Sequence, residues 1–285
     1  MISDLYKQKK PVLSLEVFPP KPDAPIETVY DTIDALKILK PDFISVTYGA
    51  GGSNQTRTVE IASRIKNYYG LDVLSHLTSV NSSIEDIDTV LKSLKTNNIK
   101  NIMALRGDPP RDALNYDFSK QEIKHASDLV SHIKSSRDFC IGGACYPEGH
   151  IESESLEKDI INLKLKVDCG VDFLISQLFF DNNIFFNFLD KVRKLGISCP
   201  VSAGIMPIYN SNMIKRITLM CGASIPRKLM RILNKYDGNA DSLEKAGIEY
   251  AIKQIDELIK NKVDGIHLYT MNKAEQAISI IQNIH

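Results

Sequence analysis

The feature that most constrains the fold is a regular alternation of apolar, strand-like runs with amphipathic, helix-like stretches. The strand-like runs begin roughly thirty residues apart through much of the chain, which is the length of a βα unit. The predicted strands are 12–17, 42–47, 72–77, 100–105, 139–145, 172–177, 200–205 and 264–269. The predicted helices are 26–39, 55–69, 84–97, 121–136, 154–169, 182–195, 210–220, 242–260 and 273–283. Strands that alternate with helices pair in parallel through right-handed crossovers.

This order of elements predicts an α/β fold, a single (β/α)8 TIM barrel that occupies residues 1–285 as one domain. An extra helix is expected at about 226–235, in the long gap between strands seven and eight. A doubly wound open sheet is the alternative. No GxGxxG motif follows a predicted strand, however, although open sheets that bind dinucleotides usually have one.

Charge and cysteine content limit the classes of partner. The chain has 35 Lys+Arg and 35 Asp+Glu, so no global field favours nucleic acid or an anionic membrane. No apolar run approaches the roughly 18 residues of a membrane span. The five cysteines form no CxxC pair and no metal-ligand spacing with His, which predicts reduced thiols and no metal. Residues 1–10 lack the apolar segment of a secretory signal, so we expect a cytoplasmic protein.

Polar and aromatic residues are concentrated at the C-terminal ends of the predicted strands, where TIM barrels carry their active sites. The first strand ends with Glu16, shortly before Pro19-Pro20, which cannot continue a ladder. An edge strand whose Glu faces water is the alternative interpretation. The other ends carry Thr47-Tyr48 with the turn 49–53, His76, Arg106 to Asp108, Tyr146 to His150, Gln177, Met206-Pro207 and Tyr269-Thr270. The opposite turns carry ordinary connectors, and this asymmetry favours an enzyme over a structural module.

Each of these features also has a structural interpretation. The GAGGS turn at 49–53 could cap a helix through Ser53, or its glycines could bring backbone amides against a phosphate or a ring. A lone His76 in an apolar run is often a satisfied core residue. Arg106 and Asp108 could form an ion pair, or they could present a donor and an acceptor together at a strand end.

In combination, the motifs resemble those of methylenetetrahydrofolate reductases, flavin-dependent (β/α)8 enzymes of one-carbon metabolism. The resemblance extends from about residue 10 to the C-terminus. The chain resembles the short bacterial form of the family. It is carried by LEVFPPK, DFISVTYGAGGS, SHLT, ALRGDPP, HASDLV, YPEGH, LKLKVDCGVDFLISQLFFD, AGIMPI and HLYTMNKAE. The resemblance implies that NADH or NADPH reduces bound FAD, and that the reduced flavin then converts 5,10-methylenetetrahydrofolate to 5-methyltetrahydrofolate in a ping-pong reaction.

The resemblance also implies roles for individual residues. Glu16 matches the general acid that protonates the departing amine nitrogen of the folate, and we expect burial to raise its pKa and keep it protonated near neutral pH. Asp108 matches an acid near the flavin and the pterin, where a carboxylate can accept from ring N–H groups. Gln177 matches a residue that contacts the folate and the nicotinamide in turn. Lys273 stands where an Arg commonly binds the folate glutamate.

For FAD, the resemblance implies contacts from a larger set of residues. They are Thr47, Tyr48, Ala50, His76, Arg106, Gly107, Asp108, Ala126, Ser127, Tyr146, His150, Asp159, Asn162 and Lys166. Arg106, His150 and Lys166 would supply positive donors for phosphate and ribityl groups. Asp159, Asn162 and Lys166 share one helix face, for which a solvated surface is the alternative interpretation.

Some positions depart from the family pattern. His125 stands where the family often has Tyr, and Leu165 where it often has Arg. Met213 and Ile217 replace a Gln and a Phe that in some members contact the folate and stack on the nicotinamide. The implied reaction class survives these departures, and the sequence does not predict cofactor preference or folate affinity.

Two other functions fit parts of the pattern. One is a flavin- or folate-binding subunit of a larger redox complex that is reduced by a protein partner, an alternative suggested by the missing aromatic at Ile217. The other is a barrel enzyme that needs no flavin. The joint presence of Glu16, Asp108 and Gln177 favours the reductase, and the resemblance implies a homo-oligomer.

Overall fold

The computed structural model of the protein describes residues 1–21, 23–48, 55–109, 116–136 and 138–285. Within these residues, eight parallel strands close into a barrel in chain order, with the last strand paired to the first. The strands are β1 (Val12–Val17), β2 (Phe43–Val46), β3 (Asp72–Thr78), β4 (Asn101–Leu105), β5 (Cys140–Cys145), β6 (Phe173–Ser176), β7 (Val201–Ile205) and β8 (Gly265–Tyr269). The closed barrel confirms the TIM-barrel prediction, and the open sheet is wrong.

Helices surround the barrel at the predicted places, and one further helix covers its N-terminal end. They are α1 (Ile2–Gln8), α2 (Glu27–Leu36), α3 (Gln55–Asn67), α4 (Ile84–Thr96), α5 (Ala126–Ser135), α6 (Leu156–Asp168), α7 (Asn182–Lys194), α8 (Ser211–Cys221), α9 (Arg227–Lys235), α10 (Ala240–Lys260) and α11 (Ala274–Gln282). The extra helix between β7 and β8 is α9. The predicted helix 121–136 begins only at Ala126, because the Asp128 carboxylate accepts from the backbone N–H of His125 and ends the preceding loop there. None of the described helices is long and apolar enough to cross a bilayer.

Helix α1, which the sequence pattern did not predict, covers the N-terminal end of the barrel. Its Ile2 and Tyr6 lie one helical turn apart and are buried in an apolar cluster with Phe43 and Phe173. The Tyr6 hydroxyl lies 2.7 Å from the Ser202 hydroxyl at the start of β7. The side chains of α1 therefore form a packed floor opposite the carboxyl ends of the strands.

Polar contacts hold the first and last strands together at both ends. Asp264, just before β8, accepts from Lys10 Nζ at 2.5 Å and from the backbone N–H of Val201 at 3.0 Å. Beyond the other end, the Asn272 amide accepts from the backbone N–H of Phe18 at 3.0 Å and donates to its carbonyl at 2.8 Å. Strand β1 is therefore an interior strand of the closed sheet, and the interpretation of Glu16 as an edge residue is wrong.

A close helix contact fixes the long connection between β7 and β8. Gly247 lies in the middle of α10, and a Cβ atom there would stand 1.9 Å from the carbonyl oxygen of Ile208. Backbone cannot yield to such an overlap as a flexible side chain can. The absence of a side chain at Gly247 therefore lets α10 pack directly on the segment that follows β7.

We expect Gly247→Ala to lower the free energy of unfolding by about 2 kcal/mol, in the range of overpacked cores. A substitution of Gly by Ala in a helix without this contact would instead stabilise by roughly 1 kcal/mol. Urea denaturation measures the difference, with the exposed Glu249→Ala on the same helix as control. An increase in stability would contradict the close approach of α10 to Ile208.

Candidate active site

The carboxyl ends of the strands open into a cavity of about 870 Å³, a volume typical of small-molecule sites. Most of the predicted site residues line it, although they come from distant parts of the chain. The predicted residues on its wall are Glu16, His76, Arg106, Gly107, Asp108, Ala126, Ser127, Tyr146, His150, Asp159, Asn162, Lys166 and Gln177. The structure therefore gathers the residues predicted for catalysis and most of those predicted for the cofactor around one space.

The other predicted residues lie elsewhere. Thr47 and Tyr48 follow β2 but do not form part of the cavity wall, and Ala50, with the rest of the turn 49–53, lies outside the described residues. Lys273 also stands away from the wall, where its Nζ lies 3.6 Å from a Glu244 carboxylate oxygen and 4.6 Å from the centre of the Tyr209 ring. In this conformation the Lys273 ammonium group therefore contacts Glu244 and Tyr209 rather than the cavity.

Glu16 is held at the base of the cavity by two imidazole groups. Its Oε2 lies 3.3 Å from His267 Nε2 and 3.5 Å from His76 Nε2. Each imidazole has a buried serine beside it: Ser14 Oγ lies 2.8 Å from His267 Nδ1, and Ser45 Oγ lies 2.7 Å from His76 Nε2. Ser14 and Glu16 alternate on β1 and so point to the same side of the strand. The result is one continuous polar cluster inside the barrel.

The electrostatics of Glu16 differ from the sequence prediction. Burial raises its pKa, as expected, but the hydrogen bond with His267 and the attraction of His76 and His267 outweigh burial and lower the pKa below its ordinary value. The expectation of a raised pKa is therefore wrong, because it included burial and omitted both imidazoles. Burial lowers the pKa of His76 to about 4, so His76 is neutral at neutral pH.

His267 is a site residue that the sequence interpretation missed. It is fully buried in β8 and lies directly opposite Ser14 in the pairing with β1. Tyr269, two residues later, packs edge-to-face on its ring at 5.0 Å and donates a hydrogen bond to the Ser176 carbonyl at 2.8 Å. The alternation of Gly265, His267 and Tyr269 along the strand was the signal that could have identified an inward-facing His.

A glycine makes room for this arrangement. A Cβ atom at Gly204 would stand 2.9 Å from the Tyr269 hydroxyl oxygen and 2.2 Å from the Ser176 carbonyl oxygen. Gly204 is the β7 residue that pairs with His267 in the sheet. The smallest residue on β7 thus permits the large aromatic on β8 to support His267.

Arg106 provides a positive charge on the cavity wall. Its guanidinium binds both carboxylate oxygens of Glu152, at 2.7 and 2.8 Å, and stacks on the Phe118 ring at 4.0 Å. Arg106 therefore forms its ion pair with Glu152. The ion pair with Asp108, one of the two alternatives from the sequence, is not formed. The next residue, Gly107, has φ +87, and a Cβ there would lie 2.6 Å from a Val80 methyl carbon, so this turn requires glycine.

Helix α6 contributes a second positive group. Lys166 Nζ donates to the carbonyl oxygen of Ala144 at 2.6 Å, and burial lowers the pKa of this lysine. Burial also raises the pKa of Asp159, which lies two turns earlier on the helix. The interpretation of this helix face as a solvated surface is therefore wrong for Lys166 and Asp159, whereas Asn162 between them is exposed.

The loop after β5 and the end of β6 complete the wall. His150 Nδ1 accepts from the backbone N–H of Glu152 at 3.2 Å, which leaves the other ring nitrogen, Nε2, to carry the proton of the neutral ring. Tyr146 packs edge-to-face against that ring at 4.7 Å. Gln177 is oriented by its own neighbour, because its Oε1 accepts from the backbone N–H of Leu178 at 2.9 Å.

Three of the positions that depart from the family pattern also reach the cavity. His125, Leu165 and Ile217 line the wall. Met213 instead packs on the apolar cluster between the end of β7 and helices α8 to α10. Among the described residues, no group of three or more His, Cys, Asp or Glu side chains is placed to hold a metal ion. The five cysteine thiols are free.

The lowered pKa of His76 predicts a specific pH dependence of stability. The unfolded chain takes up this proton at about 6.5 and the folded protein only at about 4, so stability falls as the pH drops between these values. When the pH is lowered from 7 to 4.5, the free energy of unfolding falls for the wild type. We expect this fall to be about 2 to 3 kcal/mol smaller for His76→Gln. Urea denaturation at each pH tests this, with the half-buried His132→Gln as control. Parallel pH dependences for wild type and His76→Gln would contradict the buried neutral imidazole.

Comparison with known proteins shows close relatives. The family profile of methylenetetrahydrofolate reductase matches residues 1–285. A 5,10-methylenetetrahydrofolate reductase of Escherichia coli is 35% identical over 272 residues, which cover 95% of this chain and 90% of that protein. A methylenetetrahydrofolate reductase (NADH) 1 of Arabidopsis thaliana is 37% identical over 99% of this chain but only 50% of its own length. The chain thus spans about half the length of the plant relative.

A solved structure supports the architecture. A protein from Clostridium thermocellum, described as binding two copies of 5-methyl-5,6,7,8-tetrahydrofolic acid, superposes with a TM-score of 0.70. The alignment covers 99% of this chain and 96% of that one at 12% identity, so this likeness shows the fold alone. The profile match over the whole chain and the identity to the bacterial protein show that the chain belongs to the methylenetetrahydrofolate reductase family.

Proposed function

We propose that this protein catalyses the FAD-dependent reduction of 5,10-methylenetetrahydrofolate to 5-methyltetrahydrofolate, with NADH or NADPH as the hydride donor. The observation that carries the proposal is the placement of Glu16, Asp108 and Gln177 on the wall of one cavity. An acid, a carboxylate acceptor and an amide are the groups that ring opening and pterin recognition require. Family membership gives the reaction class.

The donor set on the cavity wall fits FAD. Arg106 and Lys166 supply positive charge, and His150 supplies a ring N–H, all facing the space that Glu16 also faces. These are the donors that phosphate groups prefer. Asp159 and Asn162, on the same helix as Lys166, can accept from and donate to hydroxyl groups. When bound, the flavin supplies the hydride chemistry between the nicotinamide and the folate.

The residues of this chain supply binding and proton chemistry. Glu16 delivers a proton to the amine nitrogen that departs when the folate ring opens, because it is the carboxyl group at the base of the cavity. Asp108 is exposed at the mouth, where its carboxylate can accept hydrogen bonds from pterin N–H groups. Gln177, with its oxygen engaged by Leu178, offers its amide N–H groups to a ligand.

The relatives support the substrates. The E. coli relative is named for 5,10-methylenetetrahydrofolate, and the C. thermocellum protein of the same fold is described as binding 5-methyl-5,6,7,8-tetrahydrofolic acid. The Arabidopsis thaliana relative is named for NADH. These names support a folate substrate and a nicotinamide donor for this chain.

The first test is an anaerobic visible spectrum of the purified, FAD-loaded protein. We expect NADH or NADPH to bleach the flavin band and methylenetetrahydrofolate to restore it. A flavin that ignores both nicotinamides, yet is reoxidised by the folate after chemical reduction, would favour a subunit reduced by a protein partner. Failure to bind FAD would contradict the cofactor assignment.

Substitution of the acid separates the two half-reactions. In Glu16→Gln, we expect reduction of the flavin by NADH to stay nearly intact, while transfer to the folate slows by about 10²- to 10⁴-fold, as for a lost general acid. Stopped-flow absorbance measures each half-reaction separately. Glu60→Gln, on the exposed surface of α3, serves as the control. An equal loss in both half-reactions would contradict the assignment of Glu16.

A further inference from the structure

We propose that the proton donated by Glu16 is held jointly by Glu16 and His267, and that the Ser14 hydroxyl turns to let this pair gain or lose it. This inference rests on the proposed function for its use in the reaction. It adds His267 as a proton-holding partner and Ser14 as a positioning residue. Glu16 and His267 then act together as the general acid, and Ser14 supports His267.

The side chains of Glu16 and His267 meet inside the barrel. Glu16 Oε2 and His267 Nε2 are 3.3 Å apart, close enough for one hydrogen to lie between them. The Glu16 side chain is 16% exposed and the His267 side chain 1% exposed. Glu16 therefore faces the cavity, whereas His267 lies behind it and can reach a ligand only through the carboxylate.

The Ser14 hydroxyl can satisfy the Nδ1 atom of His267 with or without a proton on it. Ser14 Oγ lies 2.8 Å from His267 Nδ1 and 3.3 Å from the carbonyl oxygen of Ile266. When Nδ1 carries no proton, the serine donates to it. When Nδ1 carries a proton, the serine accepts it and donates to Ile266. Rotation of one hydroxyl thus replaces any larger movement in the buried core.

These two states define the proton balance. In the empty state, Glu16 is a carboxylate, and His267 is neutral with its proton on Nε2. Uptake of one proton from solvent places a hydrogen on Nδ1, and the Nε2 hydrogen is then shared with Glu16. Transfer breaks the Nε2–H bond, whose electron pair stays on nitrogen, and forms the Oε2–H bond. Donation to the amine nitrogen of the ligand then breaks that O–H bond and returns the pair to the empty state after the Nδ1 hydrogen re-equilibrates to Nε2.

The groups that surround Glu16 and His267 are neutral or carry no ionisable group. From β3, His76 faces Glu16, and burial keeps it neutral down to a pKa of about 4. From β8, Tyr269 faces His267, and burial together with the Glu16 charge raises the pKa of its phenol, so it stays neutral. Strand β2 contributes the uncharged Ser45, and β7 contributes Gly204. Among these groups, Glu16 and His267 are therefore the two that can hold a proton between them.

The first experiment is a titration of the full chain without added nicotinamide or folate. Histidine nitrogen-15 NMR reports His267, and the infrared C=O band that disappears in Glu16→Gln reports Glu16. We expect both signals to change in one common step. In Glu16→Gln, the His267 step should move to lower pH by about one unit or more, since a carboxylate at this distance stabilises the cation. Independent steps, or a His267 step unmoved in Glu16→Gln, would overturn the proposal.

The second experiment is the pH profile of the folate half-reaction. A general acid must be protonated, so its rate falls as the pH rises above the pKa of the pair. In His267→Gln, Glu16 must take up its proton alone, without the hydrogen bond that His267 supplies, and we expect the pH of this decline to change by about one unit or more. Ser14→Ala should move it in the same direction by less. A lower rate with the decline at an unchanged pH would show that His267 is only structural.

Controls separate this inference from the proposed function. His132→Gln removes another histidine–carboxylate contact, 2.7 Å from Asp88 and outside the cavity, and should leave the profile unmoved. If the coupled titration is found but the folate is not reduced, the pair stands and the proposed function fails. If the folate is reduced and the titrations are independent, the function stands and the pair fails. Should His267→Gln not fold, the wild-type and Glu16→Gln titrations still decide.

Discussion

Closure of the sheet between β1 and β8 is the constraint on which the rest of the structure depends. It removes the two exposed strand edges that an open sheet would have, and it brings residues from opposite ends of the chain into direct register. Ser14 and Glu16 thereby face His267 and Tyr269 across one pairing. The hydrogen bonds of Asp264 and Asn272 secure that pairing at both ends. The acid at the base of the cavity is therefore a product of closure.

Burial of Glu16 illustrates how a barrel offsets the cost of an internal charge. A carboxylate taken out of water is costly unless hydrogen bonds or opposite charge compensate it. His267 does so most directly, and it is in turn supported by Ser14 and by the ring of Tyr269. The absence of a side chain at Gly204 permits that ring to fit. The contacts that support the buried carboxylate are thus also contacts of the packed core.

The barrel and most of the cavity wall could be predicted from sequence, because strand periodicity and motifs at strand ends are local signals. Helix α1 was missed, since a seven-residue helix with two buried positions gives no repeated pattern. His267 was missed because its partner Glu16 is 251 residues away, and only the strand register shows that they meet. The pKa of Glu16 was predicted with the wrong sign for that reason. Burial is visible in a strand pattern, whereas the partner of a buried charge is not.

The packed floor formed by α1 has a consequence for the timing of proton uptake. Tyr6, Phe43 and Phe173 fill the barrel below the polar cluster, so water approaches Glu16 from the mouth. A flat ligand seated over the mouth would cut off that supply. Under the proposed function, the proton used in a turnover must then be taken up before the ligand binds. The interval between successive ligands would then be the time in which Glu16 and His267 take up the next proton.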